Sequence, residues 1–144
     1  MKSLKLITPT LLLLFSNFFM QSQEKEKMRE RMENKVDTLY NIEERSNIHL
    51  WVYNKVQNMN LSNEKEDAYF NILYADLYRA SRLNDKDQSF SSEERKVEFD
   101  KIISRMNSKL KEILTEEQYN YHINYFTKLE KDIYKRANWT WDKE

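Results

Sequence analysis

The sequence predicts an all-α protein with about four helices in a single domain. The chain contains no glycine, and Pro9 is its only proline. Tight β-hairpin turns favour glycine at positive φ, so a β-rich fold is hard to build from this composition. Charged residues make up 33% of the chain, and many of them are the helix-forming Glu and Lys. Apolar residues also recur at helical spacing along each long segment.

Residues 1–22 are predicted to be a secretory signal peptide, followed by one domain over residues 23–144. Lys2 and Lys5 precede an apolar run over residues 6–20, which is the layout of an export signal. The run is too short to cross a bilayer comfortably. We therefore expect an exported protein with no stable membrane span after signal removal, and an uncleaved membrane anchor is the alternative.

The composition also narrows the classes of partner. The chain has no cysteine, so neither a disulfide nor a lipid on cysteine can stabilise or tether it. The formal net charge is zero, and removal of Lys2 and Lys5 leaves 22 basic residues (24 − 2) against 24 acidic ones, a difference of −2. Nucleic-acid binding usually requires a clear basic excess, so no nucleic-acid partner is expected.

The first segment after the signal is charged and amphipathic. Its polar start, residues 23–30, is expected to fray. Two apolar stripes follow, and their phase changes near Ser46-Asn47, which could cap a second helix. The stripes contain Met28, Met32, Val36 and Leu39, and then Ile48, Trp51, Val52, Val56 and Met59. The pattern leaves open whether residues 24–59 form one kinked helix or two.

The next helix is predicted to begin at Leu61-Ser62 and to end near Leu83. Asn60 can take the left-handed conformation that ends the preceding helix when glycine is absent. Residues 84–90 are rich in Asn, Asp and Ser and are predicted to form the main loop. The apolar face of this helix is wide and contains Tyr69, Phe70, Ile72, Leu73, Leu77, Ala80 and Leu83.

A third helix is predicted to begin at Ser91, which can form a capping box with Glu94. Its apolar stripe is the most regular in the chain. The stripe contains Phe99, Ile102, Ile103, Met106, Leu110 and Ile113.

The strongest helix-start signal is the segment Leu114-Thr115-Glu116-Glu117-Gln118. Thr115 is a favoured N-cap, and Gln118 can complete a capping box with it. Leu114 can pack across the cap against Tyr119, while the two glutamates complement the helix dipole. The fourth helix is predicted to end near residues 135–136, before a tail over residues 137–144. Its apolar face contains Tyr119, His122, Tyr125, Phe126, Leu129 and Ile133.

A weak internal repeat appears at an offset of 53 residues, and it places one Leu-Ser/Thr helix start on the other. Two such starts in a small exported helical chain resemble the Spy/CpxP family of periplasmic proteins, which carries two Leu-Thr-x-x-Gln motifs. The resemblance covers roughly residues 50–136. In the first copy, Lys65 stands where Gln is expected. The matching positions, which we interpret as structural helix caps, are Leu61, Ser62, Leu114, Thr115 and Gln118.

The resemblance implies an elongated, cradle-like arrangement of four helices that forms an antiparallel homodimer. It also implies a periplasmic, ATP-independent chaperone or envelope-stress protein that binds unfolded or partly folded proteins. The alternative within the same family is a regulatory or metal-sensing partner of an envelope sensor protein, without chaperone activity.

The residues themselves give little support for catalysis or metal binding. There is no cysteine nucleophile, no glycine for a phosphate loop, and His49 and His122 are 73 residues apart. Soft metal sites need Cys or clustered His. We therefore expect no enzymatic activity, no cofactor and no metal site. His122 lies on the apolar face of its helix and is expected to be partly buried and hydrogen-bonded.

The aromatic content is the best functional indication from the residues alone. Most of the nine Tyr and three Trp are expected to fill the core. Those at the surface could face water with one end and an apolar partner with the other, which favours loose binding of varied partners. The candidates for client or dimer contacts are Trp51, Tyr53, Trp139 and Trp141.

Overall fold

The structure is a computed structural model that describes residues 23–36 and 39–143. The predicted signal peptide, residues 1–22, lies outside the described residues. Within them every regular element is a helix, which confirms the all-α prediction. None of the described helices is long and apolar enough to cross a membrane.

The described residues contain five helices. They are α1 (residues 23–34), α2 (Ile42–Gln57), α3 (Asn63–Ser81), α4 (Ser92–Ile113) and α5 (Glu116–Arg136). The chain divides into two units between Lys35 and Val36, so α1 belongs to the first unit and the other four helices to the second. In α1, Met28 and Met32 are exposed, and Arg29 pairs with both Glu26 and Glu33 at 3.9 Å and 3.6 Å.

The segment 24–59 forms two helices, and the second begins earlier than predicted. Asn41 is the N-cap of α2, and it forms a capping box with Glu44 through two hydrogen bonds of 2.9 Å. The prediction of a cap at Ser46-Asn47 was therefore wrong. Ser46 lies inside α2 and donates to the Ile42 carbonyl at 3.0 Å. Neither Ser46 nor Asn47 has a Glu or Gln three residues later, whereas Asn41 does, so only Asn41 can form the reciprocal box.

The other helix starts agree with the sequence. Ser62 caps α3 and accepts a hydrogen bond from the Lys65 backbone at 3.4 Å. Ser91 and Thr115 cap α4 and α5, and each forms a full capping box with its Glu or Gln partner. Asn60 has a φ of 50°, which confirms the left-handed conformation expected between α2 and α3. Residues 82–91 connect α3 to α4, so the predicted loop over 84–90 is also confirmed.

The end of α5 is closed by a motif that the sequence analysis did not identify. Asn138 has a φ of 56°, and its N–H donates to the Lys135 carbonyl at 3.2 Å. The Trp139 N–H donates to the Tyr134 carbonyl at 2.9 Å. These two bonds form a Schellman motif with Asn in the place usually taken by glycine, and they turn the tail back over the helix.

The core of the second unit draws side chains from all four of its helices. Phe99, Ile103, Met106 and Leu110 confirm the predicted stripe of α4. The α5 face is buried more widely than predicted, because Tyr134 and Glu130 are buried with it. The buried apolar residues are Val52, Val56, Met59, Tyr69, Leu73, Phe99, Ile103, Met106, Leu110, Leu114, Tyr125, Phe126, Leu129, Ile133 and Tyr134.

Contacts near Arg136 tie the start of α2 to the end of α5. The Tyr40 hydroxyl donates to Asp132 Oδ2 at 2.8 Å. The Arg136 guanidinium donates to Asp132 at 3.0 Å and to Glu44 at 2.9 Å, and it lies 4.4 Å from the centre of the Tyr40 ring. Because Glu44 also completes the α2 cap, this cluster fixes where α2 begins relative to α5.

Candidate functional site

Among the residues that the structure describes, no three His, Cys, Asp or Glu side chains are placed to hold a metal ion. The two histidines lie in different environments. His49 is exposed on α2, and His122 on α5 is fully buried. The second unit contains a buried polar network, a helix joint and an exposed row of aromatic rings.

The buried network surrounds His122. The Tyr69 hydroxyl lies 2.7 Å from His122 Nδ1, Asn107 Oδ1 lies 3.1 Å from Nε2, and Tyr69 also bonds the Tyr125 hydroxyl. Burial lowers the pKa of His122 from its usual value near 6.5 to about 4. The ring is therefore neutral at pH 7. Nε2–H donates to Asn107, and Nδ1 accepts from Tyr69, which in turn accepts from Tyr125.

This network confirms the prediction of a hydrogen-bonded histidine on the apolar face, although burial is complete rather than partial. Every buried polar side chain in the described chain has a hydrogen-bond partner. The His122 ring is enclosed by other rings, stacking on Phe126 with 5.3 Å between centroids. With both nitrogens bonded and no access to solvent, His122 has a structural role.

A second buried polar group lies on α3. Asp76 is fully buried, and its carboxylate accepts from Arg79 at 2.5 Å, Arg105 at 2.7 Å and Lys109 at 3.2 Å. Desolvation favours the neutral acid, but the three hydrogen bonds outweigh it and hold the pKa of Asp76 below its usual value. Since Arg105 and Lys109 belong to α4, Asp76 fastens α3 to α4.

The predicted family motif forms the joint between α4 and α5. Leu114 is buried, and the Thr115–Gln118 capping box has both of its hydrogen bonds, at 3.1 Å and 3.3 Å. Gln118 also donates from Nε2 to the Met59 carbonyl at 3.2 Å. This last contact links the α4–α5 joint to the turn between α2 and α3. In the first motif Leu61 is half-buried and Ser62 is exposed, and both lie in that same turn.

The exposed row of rings lies across α2 and α3, and we call Tyr53, Phe70, Tyr74 and His49 the aromatic ladder. Tyr53 stacks on Phe70 with 6.2 Å between ring centroids and 11° between planes. Phe70 stacks on Tyr74 at 5.5 Å and 10°, and Tyr74 stacks on His49 at 5.2 Å and 27°. Tyr53 remains 47% exposed and Tyr74 37% exposed. The ladder is the largest group of stacked rings at the described surface.

The four predicted contact residues lie in three different places. Tyr53 is part of the ladder. Trp51 is half-buried, with its ring edge-on to Tyr125 at 5.6 Å and Lys55 Nζ 5.8 Å from its centre. Trp139 and Trp141 are also half-buried, and both pack edge-on against Tyr134 at 5.5 Å and 5.0 Å. The structure therefore brings only the two C-terminal tryptophans together.

The tail is held against α4 and α5 by charge as well as by rings. Trp139 Nε1 donates to Ser92 Oγ at 3.2 Å. Lys143 pairs with Glu130 at 2.6 Å and with Asp100 at 2.7 Å. Partial desolvation lowers the pKa of Lys143, but its hydrogen bonds to these carboxylates outweigh that effect and raise the pKa above its usual value. The described tail thus covers Phe99 and Tyr134 and contributes to the core.

Sequence reasoning identified Tyr53 but missed the rest of the ladder. The sequence pattern places Phe70 on the apolar face of its helix, and it assigns His49 and Tyr74 to no site. A signal for them exists, because Phe70 and Tyr74 are four residues apart, as are His49 and Tyr53, and residues at that spacing share one helix face. Comparison with protein-family models, curated proteins and solved structures finds no match for this chain.

Proposed function

We propose that this protein is an exported, ATP-independent chaperone or envelope-stress protein that holds unfolded clients by transient contacts with its helical surface. The single observation that carries the proposal is the aromatic ladder, with two tyrosines well exposed to solvent. Tyrosine rings can cover exposed apolar segments of a client, and their hydroxyl groups keep the surface solvated when no client is bound. The role requires no catalytic group.

Reversibility follows from the size of such a contact. Burying exposed apolar area stabilises a complex by roughly 25 cal/mol per Å², and association itself costs several kcal/mol in lost freedom. A short row of rings therefore supports weak, rapidly exchanging binding. Such exchange suits a holding role, because a client must be released to fold.

The finer parts of the proposal come from the resemblance to the Spy/CpxP family. They are a periplasmic location after cleavage of residues 1–22, a cradle-like arrangement of four helices, and an antiparallel homodimer. The Leu114–Gln118 joint between α4 and α5, together with α2 and α3 before it in the chain, supports the four-helix arrangement. Light scattering of the purified mature chain tests the dimer, and cell fractionation with mass spectrometry of the mature N-terminus tests export.

The direct test is suppression of aggregation of an unfolding client by the mature protein. We expect light scattering to fall in proportion to added protein, without ATP. No effect at several-fold molar excess would exclude the chaperone proposal. Affinity capture from envelope extract provides the comparison: a broad set of clients agrees with the proposal, whereas one stoichiometric protein would favour the regulatory partner of an envelope sensor.

A further inference from the structure

The four residues of the aromatic ladder belong to two sequence segments that contain no charged residue. Residues 46–54 on α2 and residues 68–75 on α3 contain no Asp, Glu, Lys or Arg, in a chain that is 33% charged. We call these two runs the charge-free patch. Its exposed members include Leu50, which is 60% exposed, and three asparagines at positions 47, 54 and 71. Depletion of charge together with enrichment in aromatic residues is the composition found at the centre of protein-binding surfaces.

The stacking geometry determines what the ladder can attract. The two inner rings, Phe70 and Tyr74, each stack on two neighbouring rings. Cations bind over ring faces, so the inner rings offer them little, and the ladder presents edges and tyrosine hydroxyls instead. The charged residues that follow the two runs are already engaged, since Lys55 lies over the Trp51 ring and Asp76 is paired with three cations. Arg45 and the exposed Asp67 precede the two runs and mark the edge of the patch.

A charged side chain placed over the rings would therefore lose water and gain only ring edges, hydroxyls and neutral amides in exchange, because the two runs contain no residue of opposite charge. Burying a charge without compensation is costly, whereas an apolar or amide side chain would lose nothing comparable. The patch thus discriminates against charge of either sign, which a basic or acidic surface cannot do.

The size of the patch indicates the kind of occupant. Nine helical residues extend about 13 Å, and two adjacent helices are about 20 Å wide, so the patch covers about 260 Å². A stable dimer usually needs about 800 Å² on each partner. An extended chain advances about 3.3 Å per residue, so the patch spans a segment of about four to six residues.

We infer that the charge-free patch binds short, uncharged apolar segments of unfolded polypeptide and selects against segments that carry either sign of charge. The inference rests on the proposed function and assigns its client class. Binding is governed by apolar contact, so it is nearly independent of ionic strength.

Isothermal titration calorimetry on the mature protein tests the selection directly. The probes are three heptapeptides of Leu, Phe, Ser and Asn, identical except that two central Ser residues are replaced by Lys or by Glu. We expect both charged peptides to bind at least about tenfold more weakly than the neutral one. We also expect the affinity for the neutral peptide to change less than about twofold between low and high salt. Equal affinity for all three peptides would overturn the inference.

Variants locate the binding surface. The double change Tyr53→Ser and Tyr74→Ser should remove binding of the neutral peptide. Val97→Ser is the matched control, because Val97 is 44% exposed on α4 and lies outside the patch. Asn71→Lys, at an exposed position of the patch, should weaken binding of the neutral peptide and strengthen binding of the Glu peptide. Ser108→Lys on α4 should change neither affinity. Circular dichroism and melting temperature verify that each variant is folded.

The outcomes separate the inference from the proposed function. If the wild-type protein suppresses aggregation and the Tyr53/Tyr74 double variant does so equally well, the chaperone proposal stands and the inference is wrong. If the wild-type protein does not suppress aggregation, the proposed function fails. If sedimentation shows a dimer that the double variant dissociates, the patch is an interface between two copies of this chain, and the inference is overturned.

Discussion

Replacing the buried His122 should remove a specific acid sensitivity of the fold. In the folded protein burial lowers the pKa of His122 to about 4, from a usual value near 6.5. The unfolded chain therefore binds a proton at a higher pH than the folded chain does. The stability that the neutral ring contributes is present above pH 6.5 and is lost as the pH falls from 6.5 towards 4.

The expected magnitude follows from the two pKa values. A difference of one in pKa between the folded and unfolded states corresponds to about 1.4 kcal/mol, so the full difference is about 3 kcal/mol. Integration between pH 7 and pH 5 gives a loss of about 2 kcal/mol in the free energy of unfolding. The carboxylates with lowered pKa values, such as Asp76, contribute mainly below this window, because their unfolded values lie near 4.

Urea denaturation of the wild-type protein and of His122→Gln at pH 7, 6 and 5 measures this loss. Tryptophan fluorescence is a suitable signal, since Trp51 packs against Tyr125 in the same network. The variant should be less stable at pH 7 but nearly flat across the window. His49→Gln is the control, because it removes a histidine that lies outside the buried network. A flat wild-type profile, or an equal slope in His122→Gln, would refute the assignment of the network.

Three further changes probe the helix joint, the buried carboxylate and the tail, each by urea denaturation at pH 7. Thr115→Ala removes the hydroxyl that caps α5 and should cost about 1 kcal/mol; a loss of client binding in the fully folded variant would contradict the structural interpretation of the motif. Asp76→Asn weakens three ionic hydrogen bonds. Because the cations left behind are half-exposed and can be solvated, we expect the free energy of unfolding to fall by about 1–2 kcal/mol. The control Asp67→Asn, at an exposed position on the same helix, should change it by almost nothing. Trp139→Ala removes a half-buried ring that packs against Phe99 and Tyr134, and it should lower the free energy of unfolding by about 2 kcal/mol. The neighbouring control Thr140→Ala should change it by no more than about 0.5 kcal/mol. Equal effects of the two changes would mean that the tail is not docked in solution.

Helix starts were predictable because their signals are local. A cap and its partner lie three residues apart in the sequence, so Ser91 with Glu94 and Thr115 with Gln118 could be identified without any tertiary information. The error at Ser46 concerns the same kind of signal. The prediction there follows the change of hydrophobic phase and not the Asn41–Glu44 pair, and the local pair proved correct.

Long-range pairings were not predictable from these signals. The ladder needs rings from α2 and α3 to meet, and the ring partners are separated by 17 to 25 residues. The Tyr40–Asp132 hydrogen bond spans 92 residues. Periodicity indicates which face of a helix is apolar, but it does not indicate which neighbouring helix that face meets, or which of its rings stay at the surface.

The internal repeat acquires a physical meaning in the folded chain. Tyr69 and His122 occupy equivalent positions at the offset of 53 residues, and they bond each other in the centre of the core. Two equivalent positions can meet in this way only if the two halves face each other, α3 against α5, across their shared core.

The two copies of the motif, at Leu61-Ser62 and at Leu114–Gln118, nevertheless make different contacts. Gln118 completes its own capping box and also reaches the Met59 carbonyl, whereas its counterpart Lys65 only donates its backbone N–H to Ser62. The intact motif therefore also contacts the turn between α2 and α3, whereas the degenerate motif caps only its own helix. The aromatic ladder begins within two turns of Met59, at Tyr53, so the Gln118–Met59 contact lies at the end of the α2–α3 pair that carries the proposed binding surface.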